Sequence, residues 1–242
     1  MSRIFYNLGK KAGPKVRKVK WIWQSITGSE ADAVKVENEV GRDLACEIRH
    51  QLELYHDANT KQMLNETGLG LAKCVANRYR TFSFETIKGN EPNAFALPGG
   101  FIFVTRPLLE LCGRDSDELA FILGHEMAHV IRGHAMKRVI SDSAVNIASR
   151  AVPIRGQLSG WLRKVGIQFL ENAYSRELES EADRLAVRLS DAAGYNPKAS
   201  VKLLRNLAKN NPSESQSELG VYFSSHPPFE VRIRNINQML SK

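Results

Sequence analysis

Inside a stretch from Asp115 to Ile140, whose apolar residues recur at helical spacing behind an Asp115-x-x-Glu118 capping pattern, the chain reads His125-Glu126-Met127-Ala128-His129. At about 100° per residue, helix positions four apart differ by only about 40°, so both imidazoles leave one face and can converge on one ion. Glu126 stands beside them, where a carboxylate takes a proton from water at that ion without itself being a ligand. With 6 histidines and 18 glutamates in 242 residues, roughly 0.01 accidental matches are expected in the whole chain. Leu119, Ala120, Ile122, Leu123, Met127, Ala128, Val130 and Ile131 also make the helix too apolar for the surface, which weakens the alternative of two solvated histidines flanking a glutamate.

A catalytic zinc needs a third protein ligand and one open position. On a helix continuing to Ile140, His134 points about 180° away from His125 and is excluded. The pattern H-E-x-x-H-x-x-G-x-x-H fails as well, because Arg132 and Ala135 stand where glycine and histidine are required. The helix expected from Ala173 to Ala193 offers the ligand instead. Leu178, Ala182, Leu185, Ala186 and Leu189 form its apolar stripe, with Glu179 and Asp183 along one edge, four residues apart. Glu179 is the expected ligand, and Asp183 the acceptor for the spare N–H of a ligating histidine. Glu177 and Glu181 fall farther round, in a charged band with Arg184 and Arg188, and are expected in solvent. Alone, E-x-x-x-D is more often an ordinary charged face; paired with H-E-x-x-H it becomes the stronger reading.

Around this pair the periodicity predicts helices from Ser29 to about Asp57 and from Thr60 to Asn77. Thr81–Ile87 and Ala94–Val104 read as strand, the second interrupted at Pro98-Gly99-Gly100. A short helix opens at Pro107, another runs from Asn196-Pro197 to about Lys209, and an amphipathic helix with Phe229, Ile233, Ile236 and Leu240 closes the chain. Residues 141–170 carry apolar positions broken by Ser-Asp-Ser, Val-Pro, Arg-Gly and Ser-Gly, for which core packing is a better account than a flap or membrane contact. The expected fold class is α+β, mostly helical with a small sheet. Residues 1–28 are expected as a basic arm, 29–80 as a helical N-terminal part and 81–242 as the catalytic domain.

Seven of the 34 basic residues, Arg3, Lys10, Lys11, Lys15, Arg17, Lys18 and Lys20, precede the first acid, Glu30; afterwards acids and bases nearly balance. The net charge of +8 therefore belongs to the arm. Tyr6, Trp21 and Trp23 beside lysines suit the headgroup boundary of an anionic membrane, and a solvated arm whose tryptophans pack on the domain suits them equally. A nucleic-acid partner is not expected, since no reading motif accompanies the charge. No apolar run reaches the roughly 18 residues of a spanning helix, and the arm lacks the apolar stretch of a secretory signal. Cys46, Cys74 and Cys112 are odd in number and widely spaced, as in a reducing compartment, so a cytoplasmic protein, peripheral at most, is expected.

Four stretches together resemble the gluzincin metallopeptidases that include the CAAX prenyl endopeptidases, the heat-shock protease HtpX and the mitochondrial Oma-type proteases. They are Asn93-Ala-Phe-Ala-Leu-Pro-Gly-Gly with Phe101-Ile-Phe-Val-Thr, then Gly124-His-Glu-Met-Ala-His, Ser175-Arg-Glu-Leu-Glu-Ser-Glu-Ala-Asp and Ser225-His-Pro-Pro, in family order over roughly residues 80–237. The compact Oma-type and soluble bacterial members look nearest, because the hydrophobic helices of the membrane-embedded relatives are missing. The resemblance implies a minigluzincin-like zinc endopeptidase with His125, His129 and Glu179 as ligands and Glu126 as base. It further implies that His226 and Arg232 face the metal from the opposite wall.

One Zn2+ per chain and an extended protein or peptide substrate are thus expected, in protein quality control at or near a membrane surface. The substrate backbone would add to the strand edge at Asn93, Ala94, Phe95, Ala96 and Leu97. His226, its backbone held by Pro227 and Pro228, is expected to donate to the oxyanion of the tetrahedral intermediate, against the simpler role of a helix cap. Arg232 would orient a carboxylate or a substrate carbonyl. A zinc-bearing binding or chaperone module without turnover is the competing class, and the intact Glu126 argues against it.

Overall fold

The structure, a computed structural model, describes residues 29–147, 174–209 and 229–241. Ser29 caps the first helix: its hydroxyl accepts from the Asp32 N–H at 3.2 Å, while the Asp32 carboxylate accepts from the Ser29 N–H at 3.3 Å. Helix α1 (Glu30–Gln51) buries Val36, Val40, Leu44 and Ile48 and stops earlier than periodicity predicts, because Leu54 turns extended to bridge Ile87. Helix α2 (Ala58–Lys73) is capped by the Asp57 carboxylate on the Thr60 N–H.

Three strands follow. β1 (Ser83–Ile87) runs parallel to β3 (Phe101–Thr105), and β2 (Ala94–Leu97) antiparallel to it, in the order β1-β3-β2. The interrupted strand expected over Ala94–Val104 is a hairpin, because Pro98–Gly100 coils into a single 3-10 turn that sends β3 back along β2. A short helix, α3 (Arg106–Leu111), leaves β3.

Helix α4 (Ser116–Ile131) carries the H-E-x-x-H residues and is buried at every position from Glu118 to Val130. The Asp115 carboxylate accepts from the N–H groups of Asp117 and Glu118. Glu118 turns instead to Lys202 Nζ, 2.8 Å away. The single helix expected to Ile140 is two: α4 ends at Ile131 with Arg132 as its cap, Gly133 takes the left-handed φ of 70°, and α5 (His134–Ile147) starts afresh. Helices α6 (Arg176–Ala192), α7 (Ala199–Lys209) and α8 (Phe229–Leu240) complete the described fold.

Leu64, Leu71 and Val75 share one core cluster with Leu119, Leu123, Ala186, Leu204 and Ile236, so residues on both sides of position 80 build the same interior. The second cluster joins Val40, Leu44 and Ile48 to Phe95, Leu97, Phe103, Met136 and Val139. Helix α4 is central, and Gly124 lets α6 lie against it: a Cβ at that position would sit 3.3 Å from the Cα and carbonyl oxygen of Ala186. That close approach sets the separation of the two helices at the level of His125.

Candidate metal centre

One turn apart on α4, His125 and His129 turn their Nε2 atoms to within 3.1 Å of each other. Glu179 comes to the same point from α6, with Oε2 3.4 Å from His125 Nε2 and Oε1 3.3 Å from His129 Nε2. All three side chains are buried, and one ligand atom from each falls within 4.8 Å of the others. Two imidazole nitrogens and a carboxylate oxygen meeting at one point suit a divalent transition metal. No other group of three such side chains converges among the described residues.

Behind this layer each histidine has its own support. Asp183, one turn beyond Glu179, lies 2.9 Å from His125 Nδ1 and is clamped by Arg232, whose Nε and Nη2 donate to its two oxygens at 2.9 and 2.7 Å. From the sequence, Arg232 is expected to face the metal from the opposite wall. Arg232 lies instead on the Nδ1 side of His125, 2% exposed, and the carboxylate it orients is that of Asp183. His129 Nδ1 meets His134 Nδ1 at 3.1 Å. On a continuous helix His134 would point away from His125; the break at Gly133 brings it behind His129 instead. Glu181 also departs from expectation: only half-exposed, it stands 3.5 Å from His134 Nε2 and 3.0 Å from Arg132 Nε. Glu177 is exposed, as its place on the helix suggests.

Tyr174 stacks on His129 with ring centroids 4.0 Å apart, and the Arg138 guanidinium covers the other side of the Tyr174 ring. Neither residue stood out in the sequence, since neither falls at ligand spacing. Tyr174 was adjacent to a visible signal, the Ser175 cap of α6.

The electrostatics follow from burial and close charges. Burial opposes a charge on His125, but Glu179 and the Asp183 hydrogen bond outweigh it, raising the metal-free imidazole to about 9. Burial raises Glu126 to about 7, moderated by the neighbouring His125, Arg138 and Arg232 charges. Asp183 is held well below the usual carboxylate range although burial works against its charge, because Arg232 and His125 prevail. Burial pushes His134 down, which keeps it neutral near pH 7.

On the sheet side, Asn93 was expected to meet substrate, yet its N–H donates to Thr105 Oγ1 at 2.7 Å and its carbonyl accepts from the Thr105 N–H at 2.8 Å. Its backbone is spent within the hairpin. Pairing alternates along antiparallel strands, so the Asn93–Thr105 bond directs the Phe95 and Leu97 backbones toward β3 and those of Ala94 and Ala96 outward. The side chains of Phe95 and Leu97 lie in the core. His226 lies outside the described residues, as does the arm 1–28.

Comparison with known sequences matches residues 58–240 to peptidase family M48. The chain belongs to that family. Members of M48 are metal-dependent peptidases, in accord with the His125-His129-Glu179 cluster. Mitochondrial metalloendopeptidase OMA1 of Schizosaccharomyces pombe is 30% identical over 196 residues, covering 79% of this chain and 54% of that protein. Two Escherichia coli proteins also align: metalloprotease YcaL, 25% identical over 228 residues (90% of this chain, 84% of that one), and metalloprotease LoiP, 27% over 204 residues (82% and 79%). This M48 chain therefore spans about half the length of the fission-yeast relative and most of the bacterial two. Among the described residues no helix is long and apolar enough to cross a membrane.

Proposed function

We propose that this chain is a zinc-dependent endopeptidase in which His125, His129 and Glu179 hold one Zn2+ and Glu126 is the general base. The convergence of two imidazole nitrogens and the Glu179 carboxylate at one point, with the buried Glu126 carboxylate beside the histidines on α4, carries the proposal. Zinc, when bound, supplies a Lewis acid for the scissile carbonyl and for water. Glu126, buried beside the two histidines, takes a proton from the attacking water and returns it to the leaving amine. Asp183, fixed by Arg232, holds the Nδ1 proton of His125 so that Nε2 presents its lone pair. Arg232 is thus a positioning residue.

The outward N–H and C=O groups of Ala94 and Ala96 are where an extended substrate would add to the sheet, since β2 has no strand on that side among the described residues. His226 is proposed as the oxyanion donor; His226→Ala then keeps zinc and loses about 100 to 1000-fold in turnover. Zinc analysis and casein digestion by the wild type and Glu126→Gln test the main proposal. The expected result is one zinc in each protein and cleavage only by the wild type. Appreciable cleavage by Glu126→Gln would remove Glu126 from the role of base. The non-catalytic alternative is not favoured, given the family and the intact Glu126.

The basic, tryptophan-bearing arm supports a location at an anionic membrane surface, where a part in protein quality control would be exercised. Salt-sensitive sedimentation with anionic liposomes, lost on deleting residues 1–28, is the expected result; no binding by the full-length protein would rule it out.

A further inference from the structure

His134 has no part in the three-ligand centre, yet it is 2% exposed and its Nδ1 lies 3.1 Å from the Nδ1 of His129. Two ring nitrogens that close share one proton: one must donate and the other accept. Its remaining nitrogen, Nε2, lies 3.5 Å from a carboxylate oxygen of Glu181, which Arg132 Nε approaches at 3.0 Å from the other side. A carboxylate accepts only, so the proton of neutral His134 belongs on Nε2 and the lone pair on Nδ1. His129 must then carry its proton on Nδ1, which leaves the His129 Nε2 lone pair facing His125 Nε2 and Glu179 Oε1. Reversing the chain would put a proton on His129 Nε2, where a metal has to bind.

We propose that His134, backed by Glu181, is a positioning residue for the metal centre: it accepts the Nδ1 proton of His129 and so holds that ligand in the tautomer and ring orientation that bind zinc. The assignment rests on the zinc centre proposed above. It makes the two histidine ligands unequal, since His125 is backed by an anionic carboxylate and His129 by a neutral imidazole. The Tyr174 ring stacked on His129 fixes the plane of the imidazole, and His134 stands at its Nδ1.

Full-length protein carrying His134→Leu or His134→Asn provides the test. Position 134 is the first residue of α5, so both substitutions start that helix at an ordinary site. Leucine fills the space without an acceptor, whereas the asparagine Oδ1 stands near where the histidine Nδ1 was and can accept. Zinc dissociation constants are measured by competition with a chromophoric chelator, after circular dichroism and melting of the metal-free proteins establish that each variant folds. His134→Leu is expected to bind zinc about 10 to 100-fold more weakly than wild type, the range usual for lost support of a ligand. His134→Asn is expected within about threefold of wild type. Wild-type affinity in His134→Leu overturns the inference, and so does equal weakening in both variants, which would mean that ring shape alone matters. A wild type that takes up no zinc would instead defeat the metal-centre reading beneath it.

Discussion

Removing the Arg232 guanidinium asks whether this residue acts on the metal centre from behind or on a substrate in front. Two charge-assisted hydrogen bonds of 2.9 and 2.7 Å join it to Asp183, and both residues are 2% exposed. Arg232→Met keeps the bulk and takes away the charge, so Asp183 is left as a buried anion whose described partner is His125. Breaking such a pair from one side costs about 3 to 5 kcal/mol, mostly the penalty of the stranded charge. Urea unfolding of the metal-free protein should show a loss of that size. Zinc affinity should fall too, about 10 to 100-fold, because Asp183 no longer holds His125 Nδ1 in place. The double variant Asp183→Asn/Arg232→Met removes both charges and is expected to be more stable than Arg232→Met alone, a coupling that a substrate-facing arginine would not show. If Arg232→Met unfolded within about 1 kcal/mol of wild type and bound zinc normally while turnover collapsed, the clamp would be wrong and Arg232 would belong to the substrate.

Gly124→Ala places a methyl group 3.3 Å from the backbone of Ala186, so α6 must shift by a few tenths of an ångström beside His125. The expected outcome is about 1 to 3 kcal/mol of lost stability with weakened zinc binding in a chelator competition; unchanged zinc affinity would show that the helices yield without moving the ligands. For pH, His125 at about 9 and Glu126 at about 7 both bind a proton more tightly folded than unfolded, where the reference values are 6.5 and 4.5. Their contributions are full below the unfolded values and are lost as pH rises through about 7 and then about 9. The metal-free protein should therefore lose stability between pH 6 and pH 9, on the order of 3 kcal/mol from His125 alone. The gain in melting temperature on adding zinc should grow over the same range, because the metal must displace the His125 proton. A metal-free melting temperature that rose from pH 6 to 9 would refute this protonation pattern.

The range of the forces involved separates what is legible in the sequence from what is not. The ligand spacing on α4 and the Glu179-Asp183 pair on α6 are local: four residues on a helix put side chains on one face whatever surrounds them. His134 was lost by extending that rule past Gly133, where a left-handed residue resets the direction of the chain and a count of 100° per residue stops applying. Glu181 and Arg232 obey no local rule. Helical position puts Glu181 in a charged band, yet it meets His134 because α5 begins across from α6; Arg232 finds Asp183, 49 residues away, only through the docking of α8. The ligands and Asp183 are thus written in spacing, and Arg232, His134 and Glu181 in packing. Because spacing treats His125 and His129 alike and packing does not, their outer partners cannot be interchanged: an acceptor lost behind His125 strands the Arg232 charge, whereas one lost behind His129 strands none and frees only the tautomer.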